Sequence, residues 1–199
     1  MISIYDLKPR FQSLLRPLVR RIVEAGLTAN SITIADMAVS VLLGGLLFAD
    51  PRPGYFVLLP LWMILRMALN AIDGMLAREH GQRSALGAYL NELSDVVSDA
   101  ALYLPFVAIQ PFGWASVGAV IFLSALSEMA GILAQTIGAS RRYDGPMGKS
   151  DRAFVFGALG LWLAVAGGLP DWAFWIMPLV AAAIMLNIFN RIRSGIRQI

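Results

Sequence analysis

The sequence contains no cysteine and a single histidine, His80. The first absence removes disulfides and thiolate metal centres, and the second argues against zinc, whose sites are built from Cys and His. Charge is scarce as well: Asp, Glu, Lys and Arg make up 15% of the 199 residues against 58% hydrophobic ones, and the mean hydropathy is +0.67. That balance lies well outside the range of soluble domains and points to an integral membrane protein. No internal repeat or low-complexity tract stands out, and without a repeat or a pair of broken helices a small alternating-access transporter has little support.

What the chain does have is long apolar runs. One bilayer crossing takes roughly 20 mostly apolar residues, and the runs Ser31–Phe48, Gly54–Asn70, Leu86–Ala108, Trp114–Ile137, Ala153–Gly168 and Trp172–Asn190 account for nearly the whole chain. The expectation is an all-α protein with six transmembrane helices over residues 31–199 and no soluble domain. Residues 1–30 precede them as a juxtamembrane segment: "DLKPRFQSLLRPLVRRIVEA", residues 6–25, interleaves basic residues with Phe11, Leu14, Leu15, Leu18, Val19, Ile22 and Val23 at helical spacing. Such an amphipathic helix suits the membrane surface, either as an orienting anchor or as a wall of an active site. Because five Lys/Arg precede the first apolar run, that run is expected to stay as a span and not to be cleaved as a signal peptide. In "LTANSIT", Asn30 or Ser31 is a candidate cap for it.

The basic residues orient the six spans. Lys8, Arg10, Arg16, Arg20, Arg21, Arg78, Arg83, Arg141, Arg142, Lys149, Arg152, Arg191, Arg193 and Arg197 fall on the side shared by both termini, and Arg52 alone falls on the other. The positive-inside rule makes the first side cytoplasmic. Trp114, Trp172 and Trp175 lie beside the opposite loops, where interfacial aromatic anchors belong. The net charge of +3 reflects this bias and anionic headgroups, so no nucleic-acid partner is expected. A plasma or bacterial inner membrane location follows.

Against this background the stretch "NAIDGMLAREHGQRSALGAYLNELSDVVSD", Asn70 to Asp99, concentrates costly polar groups. Each ionisable group inside a span costs about 2.5–3.5 kcal/mol on insertion scales, so the cluster needs a compensating partner. Read as two helices joined near Gly81–Gln82, it puts Asp73 level with Asn91, Asn70 with Asp95 and Arg66 with Asp99, each set recurring at three- and four-residue steps on one stripe. Asp, Asn and water oxygens suit a hard ion, Mg²⁺ or Mn²⁺. Gly74 and Gly87 leave the backbone open to a large ligand, or allow tight helix packing.

These residues resemble the signature of the CDP-alcohol phosphatidyltransferases, D-x-x-D-G-x-x-A-R-x8-G-x-x-x-D-x-x-x-D, at Asp73, Gly74, Ala77, Arg78, the eight-residue gap, Gly87 and Asp95. The resemblance extends to the six-span layout, the amino-terminal helix and "LTANSIT". It implies a cytoplasm-facing polar cavity, a homodimer, and transfer of a substituted phosphate from a CDP-alcohol, usually CDP-diacylglycerol, to an acceptor alcohol with release of CMP in phospholipid synthesis. In that family two divalent ions held by the four aspartates grip the diphosphate and stabilise the leaving CMP. Carried over by position, Asn70, Asp73, Asn91 and Asp95 would be the metal positions and Asp95 also the general base. Gly74, Ala77, Arg78 and Gly87 would form the CDP site.

This chain departs from the signature at its first and third aspartates, which are Asn70 and Asn91. Glu92 and Asp99 are nearby acids that could substitute, Asp99 with Arg66 as a ready counter-ion. A weakened two-metal enzyme, a one-metal enzyme and a silent scaffold that binds nucleotide or lipid, or regulates a partner, are the outcomes compatible with it. The loop "SRRYDGPMGKSDR", residues 140–152, offers Arg141, Arg142, Lys149 and Arg152 for an acceptor phosphate, or merely for positive-inside orientation, with Ser150 or Asp151 as a helix cap. Asp36 and Glu128 are intramembrane acids with no assigned role.

Overall fold

The computed structural model describes the backbone of residues 4–199 and the side chains of residues 11–199. The side chains of Lys8 and Arg10, which enter the charge bias, lie outside the described residues. Among the described residues there is no strand, and seven α-helices follow in order: α1 (Ile4–Glu24), α2 (Ala29–Ala49), α3 (Leu58–Glu79), α4 (Ala85–Tyr103), α5 (Trp114–Leu133), α6 (Lys149–Ala166) and α7 (Ile176–Ile196). Short 3-10 turns at Pro53–Val57, Leu104–Ala108, Ala134–Ile137 and Asp171–Trp175 extend α3, α4, α5 and α7.

Four segments are long and apolar enough to cross a membrane: Ala29–Ala49, Pro53–Glu79, Trp114–Ile137 and Asp171–Ile196. The sequence predicts six, and the two of those helices that miss the criterion, α4 and α6, are rich in charged residues. α4 holds Glu92, Asp95 and Asp99, and the first turn of α6 holds Lys149, Asp151 and Arg152. Charged residues lower the hydropathy of the helix that presents them. Elsewhere the outward faces are apolar, with Leu42 72%, Leu61 61% and Val165 80% exposed, as expected where lipid and not water is the solvent.

The chain forms two compact units, and α2, α3 and α4 contribute to both. The first unit comprises residues 1–39 and 64–95. Its core is Val19 of α1 with Ala29, Ile72, Met75 and Leu76, backed by Leu15, Ile22 and Val23. These α1 residues recur at three- and four-residue spacing, so one stripe of the helix is buried while Leu14 and Leu18 stay exposed. The start of α2 is a capping box: Thr28 Oγ1 accepts the Ser31 N–H at 3.1 Å, and Ser31 Oγ accepts the Thr28 N–H at 2.9 Å. The helix therefore begins at Ala29, and Thr28, not Asn30 or Ser31, is its N-cap. Ser84 plays the same part for α4 by accepting the Gly87 N–H at 2.9 Å.

The second unit comprises residues 40–63 and 96–199. Its core is aromatic: Tyr103 stacks on Phe156 at 3.8 Å between centroids, and Phe106 meets Phe56 and Phe156 edge-on. α5 packs along α7, and α6 packs on the 3-10 turn at Pro53–Val57.

Candidate functional site

The hairpin of α3 and α4 turns through residues 80–84, with Gly81 at φ +68°, as the sequence predicts. It brings Asp73, Asn70, Arg66, Asn91 and Asp95 into the first unit. Asp73 is buried, and its Oδ2 lies 2.8 Å from Thr33 Oγ1 of α2. The same hydroxyl is 3.0 Å from Ala29 O; with one proton to give, it favours the closer, charged acceptor. Arg66, 2% exposed, donates from Nε to Asp36 Oδ2 at 3.2 Å and from Nη2 to Asp95 Oδ1 at 3.3 Å and Asp95 O at 3.4 Å. Its reach to Asp95 departs from the expected level with Asp99, because a long side chain spans a helical turn that Cα positions alone do not reveal.

Asn70, Asn91 and Glu92 are half-buried. Gly74 lies under the Arg78 guanidinium, so a Cβ there would stand 2.8 Å from Arg78 Nη2. At Gly87 a Cβ would stand 2.8 Å from Asn30 Oδ1. Both motif glycines thus permit a close approach, one by a guanidinium of the motif itself and one by the start of α2. Ala77 packs against the first unit's core.

The donors at the motif positions are oxygens: the carboxylates of Asp73 and Asp95 and the amide carbonyls of Asn70 and Asn91. No thiolate or imidazole is among them, and this chemistry fits a hard divalent ion, Mg²⁺ or Mn²⁺. Among the described residues no three His, Cys, Asp or Glu side chains form a metal-binding group, so any such ion would need the amides as well.

The second unit holds another charged cluster. Arg152 is fully buried, donating from Nη2 to Asp99 Oδ2 at 3.2 Å and Glu128 Oε1 at 3.0 Å, and from Nη1 to Met147 O at 3.2 Å. Arg191 of α7 donates from Nη1 to Ser127 O at 2.6 Å and Glu128 Oε2 at 3.3 Å. Arg141 pairs with Glu128 Oε2 at 3.6 Å and lies over the Tyr143 ring. Ser127 Oγ donates to Asn187 Oδ1 at 2.8 Å. Three guanidiniums thus surround two carboxylates, and Nε of Arg152 and of Arg191 are buried without a hydrogen-bond partner among the described residues.

Of the loop cations singled out in the sequence, Arg141 and Arg152 therefore join one cluster, with Arg152 a buried helix residue and not a loop cation. Arg142 instead grips Asp144, Nε to Oδ2 at 2.7 Å and Nη2 to Oδ1 at 2.8 Å. That pair of hydrogen bonds holds the Asp144 carboxyl below its ordinary range. Lys149 is the first residue of α6, half-buried. Neither Ser150 nor Asp151 is the N-cap: Gly148 is, and Asp151, three residues on, accepts the Gly148 N–H at 3.0 Å. The loop folds back on α5 through an Arg142 N–H to Gly131 O bond of 3.1 Å. Only glycine fits at 131, since a Cβ would stand 2.7 Å from Arg142 O. From the sequence alone Arg191 reads only as an orienting charge and Glu128 has no role. The four-residue step from Asn187 to Arg191, opposite the Ser127–Glu128 pair, is the signal that marks them.

Charged clusters buried in each unit, among helices with apolar outer faces, mark a multi-pass membrane protein. The pattern of the CDP-alcohol phosphatidyltransferase family matches residues 26–188. The chain belongs to that family, whose members are transferases of phospholipid synthesis. It is 45% identical over 196 residues to the inner membrane protein YnbA of Escherichia coli K12, covering 97% of this chain and 96% of that protein. It is 24% identical over 205 residues to the phosphatidylinositol phosphate synthase of Mycolicibacterium smegmatis, covering 98% and 91% respectively. The fold is similar to crystal structures of the Mycobacterium tuberculosis phosphatidylinositol phosphate synthase, one in complex with manganese and citrate and one with CDP-DAG bound, each with a TM-score of 0.73. These share 22% and 23% identity with the chain over 90% of its length, and cover 87% and 92% of the synthase chains.

Proposed function

We propose that this chain transfers a substituted phosphate from a CDP-alcohol, CDP-diacylglycerol, to the hydroxyl of an acceptor alcohol and releases CMP. The observation that carries this reading is the retained core of the family signature, Asp73-Gly74-x-x-Ala77-Arg78 with Gly87 and Asp95, gathered in one compact unit. Gly74 and Gly87 let Arg78 and the start of α2 come close to the helix backbones, Ala77 lies beside them as part of the CDP site, and Arg78, lying over Gly74, is set to meet a phosphate. Asp95 takes the proton of the acceptor hydroxyl as its oxygen forms a new bond to phosphorus. The phosphorus–oxygen bond to CMP breaks, and the proton later passes to solvent. A divalent ion, Mg²⁺ or Mn²⁺, held by Asp73 with Asn70, Asn91 and Asp95, would neutralise the diphosphate and the leaving CMP.

The acceptor is a phosphorylated alcohol. Supporting this is the basic run of the 140–152 segment, Arg141, Arg142, Lys149 and Arg152, residue types suited to a phosphate. We read the fold as six spans with both termini cytoplasmic, residues 1–30 lying along the membrane surface, and the protein as a homodimer in the inner or plasma membrane. Asn70 and Asn91 favour one alternative, a member that binds CDP-lipid without turning it over.

The test follows CMP release by the purified chain from labelled CDP-diacylglycerol with Mg²⁺ or Mn²⁺ and paired acceptors, each free and phosphorylated. CMP release with a phosphorylated acceptor, abolished by Asp95→Asn, is expected. Retained binding of CDP-diacylglycerol with no CMP release from any acceptor would establish the silent alternative.

A further inference from the structure

We infer that Glu128 is a built-in counter-anion, whose carboxylate holds the guanidinium donors of the second unit that a phosphate would use, so that an incoming phosphate must exchange with it. The inference deepens the reading of the acceptor as a phosphorylated alcohol and rests on that reading for the identity of the anion.

Glu128 lies on α5 one turn before Gly131. The missing side chain at 131 is what lets its partners come so near, since a Cβ there would stand 3.1 Å from Arg191 Nη1 and 2.7 Å from Arg142 O. Both carboxylate oxygens are engaged from three other segments. Oε1 accepts from Arg152 Nη2 of α6 at 3.0 Å, while Oε2 accepts from Arg191 Nη1 of α7 at 3.3 Å and pairs with Arg141 Nη2 of the loop at 3.6 Å. A guanidinium meets carboxylate and phosphate oxygens through the same charge-assisted hydrogen bonds, so these donors suit either anion. The two anions differ in how much they offer. Glu128 has two oxygens, and Nε of Arg152 and of Arg191 stay buried without a hydrogen-bond partner among the described residues. A phosphate monoester brings three strong acceptor oxygens to the same guanidiniums.

The gradient of burial gives the direction of entry. The Arg152 side chain has no exposed surface and that of Glu128 is 9% exposed, whereas Arg141, on the loop, is 19% exposed. The anion therefore arrives past Arg141. Two anions among these guanidiniums repel strongly in a poorly screened setting, so phosphate binds only as Glu128 withdraws. Glu128 is thus a specificity-determining residue with two effects. It compensates guanidiniums that would be costly to bury unpaired, and it sets a threshold that an anion can meet and a neutral hydroxyl compound cannot.

The test is calorimetric titration of inorganic phosphate into the purified full chain in nanodiscs of zwitterionic lipid, at constant ionic strength, with chloride as the blank. Glu128→Gln keeps the shape and one acceptor oxygen while removing the charge, and should bind phosphate about tenfold or more tightly than wild type. Glu128→Gln combined with Arg191→Gln, which removes a guanidinium as well, should lose that gain. Unchanged or weaker binding in Glu128→Gln, or a gain that survives in the double variant, would each overturn the inference. Should Glu128→Gln fold only when phosphate, and not chloride at equal ionic strength, is present throughout purification, that rescue supports the exchange. Failure to fold in either salt shows that phosphate does not replace the carboxylate and overturns it. Phosphate binding is read without turnover: tighter binding with no CMP release removes the proposed reaction alone, and CMP release with unchanged phosphate affinity removes the exchange alone.

Discussion

Asp73 and Asp99 are both buried acids of the α3–α4 hairpin, and their surroundings divide their roles. Asp73 accepts a hydrogen bond from a neutral hydroxyl, Thr33 Oγ1 at 2.8 Å, and stands where the family signature has an aspartate. Asp99 is bound at 3.2 Å by the guanidinium of Arg152, a residue with no exposed surface. A carboxylate so compensated contributes to the balance of its cluster and little to an incoming metal. Asp73→Ala is accordingly expected to abolish Mn²⁺ uptake, while Asp99→Ala leaves Mn²⁺ affinity within about threefold, a difference of about 0.6 kcal/mol, and lowers thermal stability. Mn²⁺ titration beside thermal unfolding of both variants checks this; a larger metal loss from Asp99→Ala would move the ion one helical turn along α4. The asparagines show why such residues are hard to read alone: Asn70 and Asn91 keep the oxygen of the aspartates in the signature and drop the charge, and the effect depends on which cations are already there.

At the scale of elements, the α3–α4 hairpin and the 140–152 loop hold the candidate site residues, and they were legible to different degrees. The hairpin could be read from its spacing, since three- and four-residue steps align a stripe and Gly81 marks the turn. The loop could not, because Arg141, Arg142 and Arg152 look alike in a basic run yet meet Glu128, Asp144 and the Asp99–Glu128 pair respectively. The Arg142–Asp144 clip has a pH consequence. Its hydrogen bonds lower the Asp144 carboxyl from the ordinary value of 3.8, so the contribution to loop stability is complete above that value. It is lost as pH falls through the lower folded-state value. Hydrogen exchange at Ser140–Gly148 should therefore be faster in Asp144→Asn than in wild type at neutral pH, after correction for intrinsic exchange. The two should converge once the wild-type carboxyl is protonated well below pH 3.8. An equal difference at both extremes would mean that the clip does not hold the loop.

At the scale of the whole molecule, the absence of cysteine makes orientation directly measurable. Single cysteines introduced at residues 2 and 199 are expected to resist a membrane-impermeant maleimide in sealed cells, and one in place of Arg52 to react. Labelling of both termini from outside with protection at 52 would invert the topology and put the site on the wrong face for a cytoplasmic nucleotide. The all-helical class, the membrane environment and the hairpin were determined by the sequence itself, because hydropathy over some 20 residues and side-chain periodicity are local properties that survive without knowledge of the neighbours. The count of apolar helices was less direct, since α4 and α6 surrender hydropathy to the residues they present. Only tertiary structure decided which charges meet. Arg66 finds Asp36 from thirty residues away, Arg152 finds Asp99 from fifty-three and Arg191 finds Glu128 from sixty-three. In a medium where an unpaired charge is so costly, these long-range pairings set the charge balance of each cluster, and no local pattern records them.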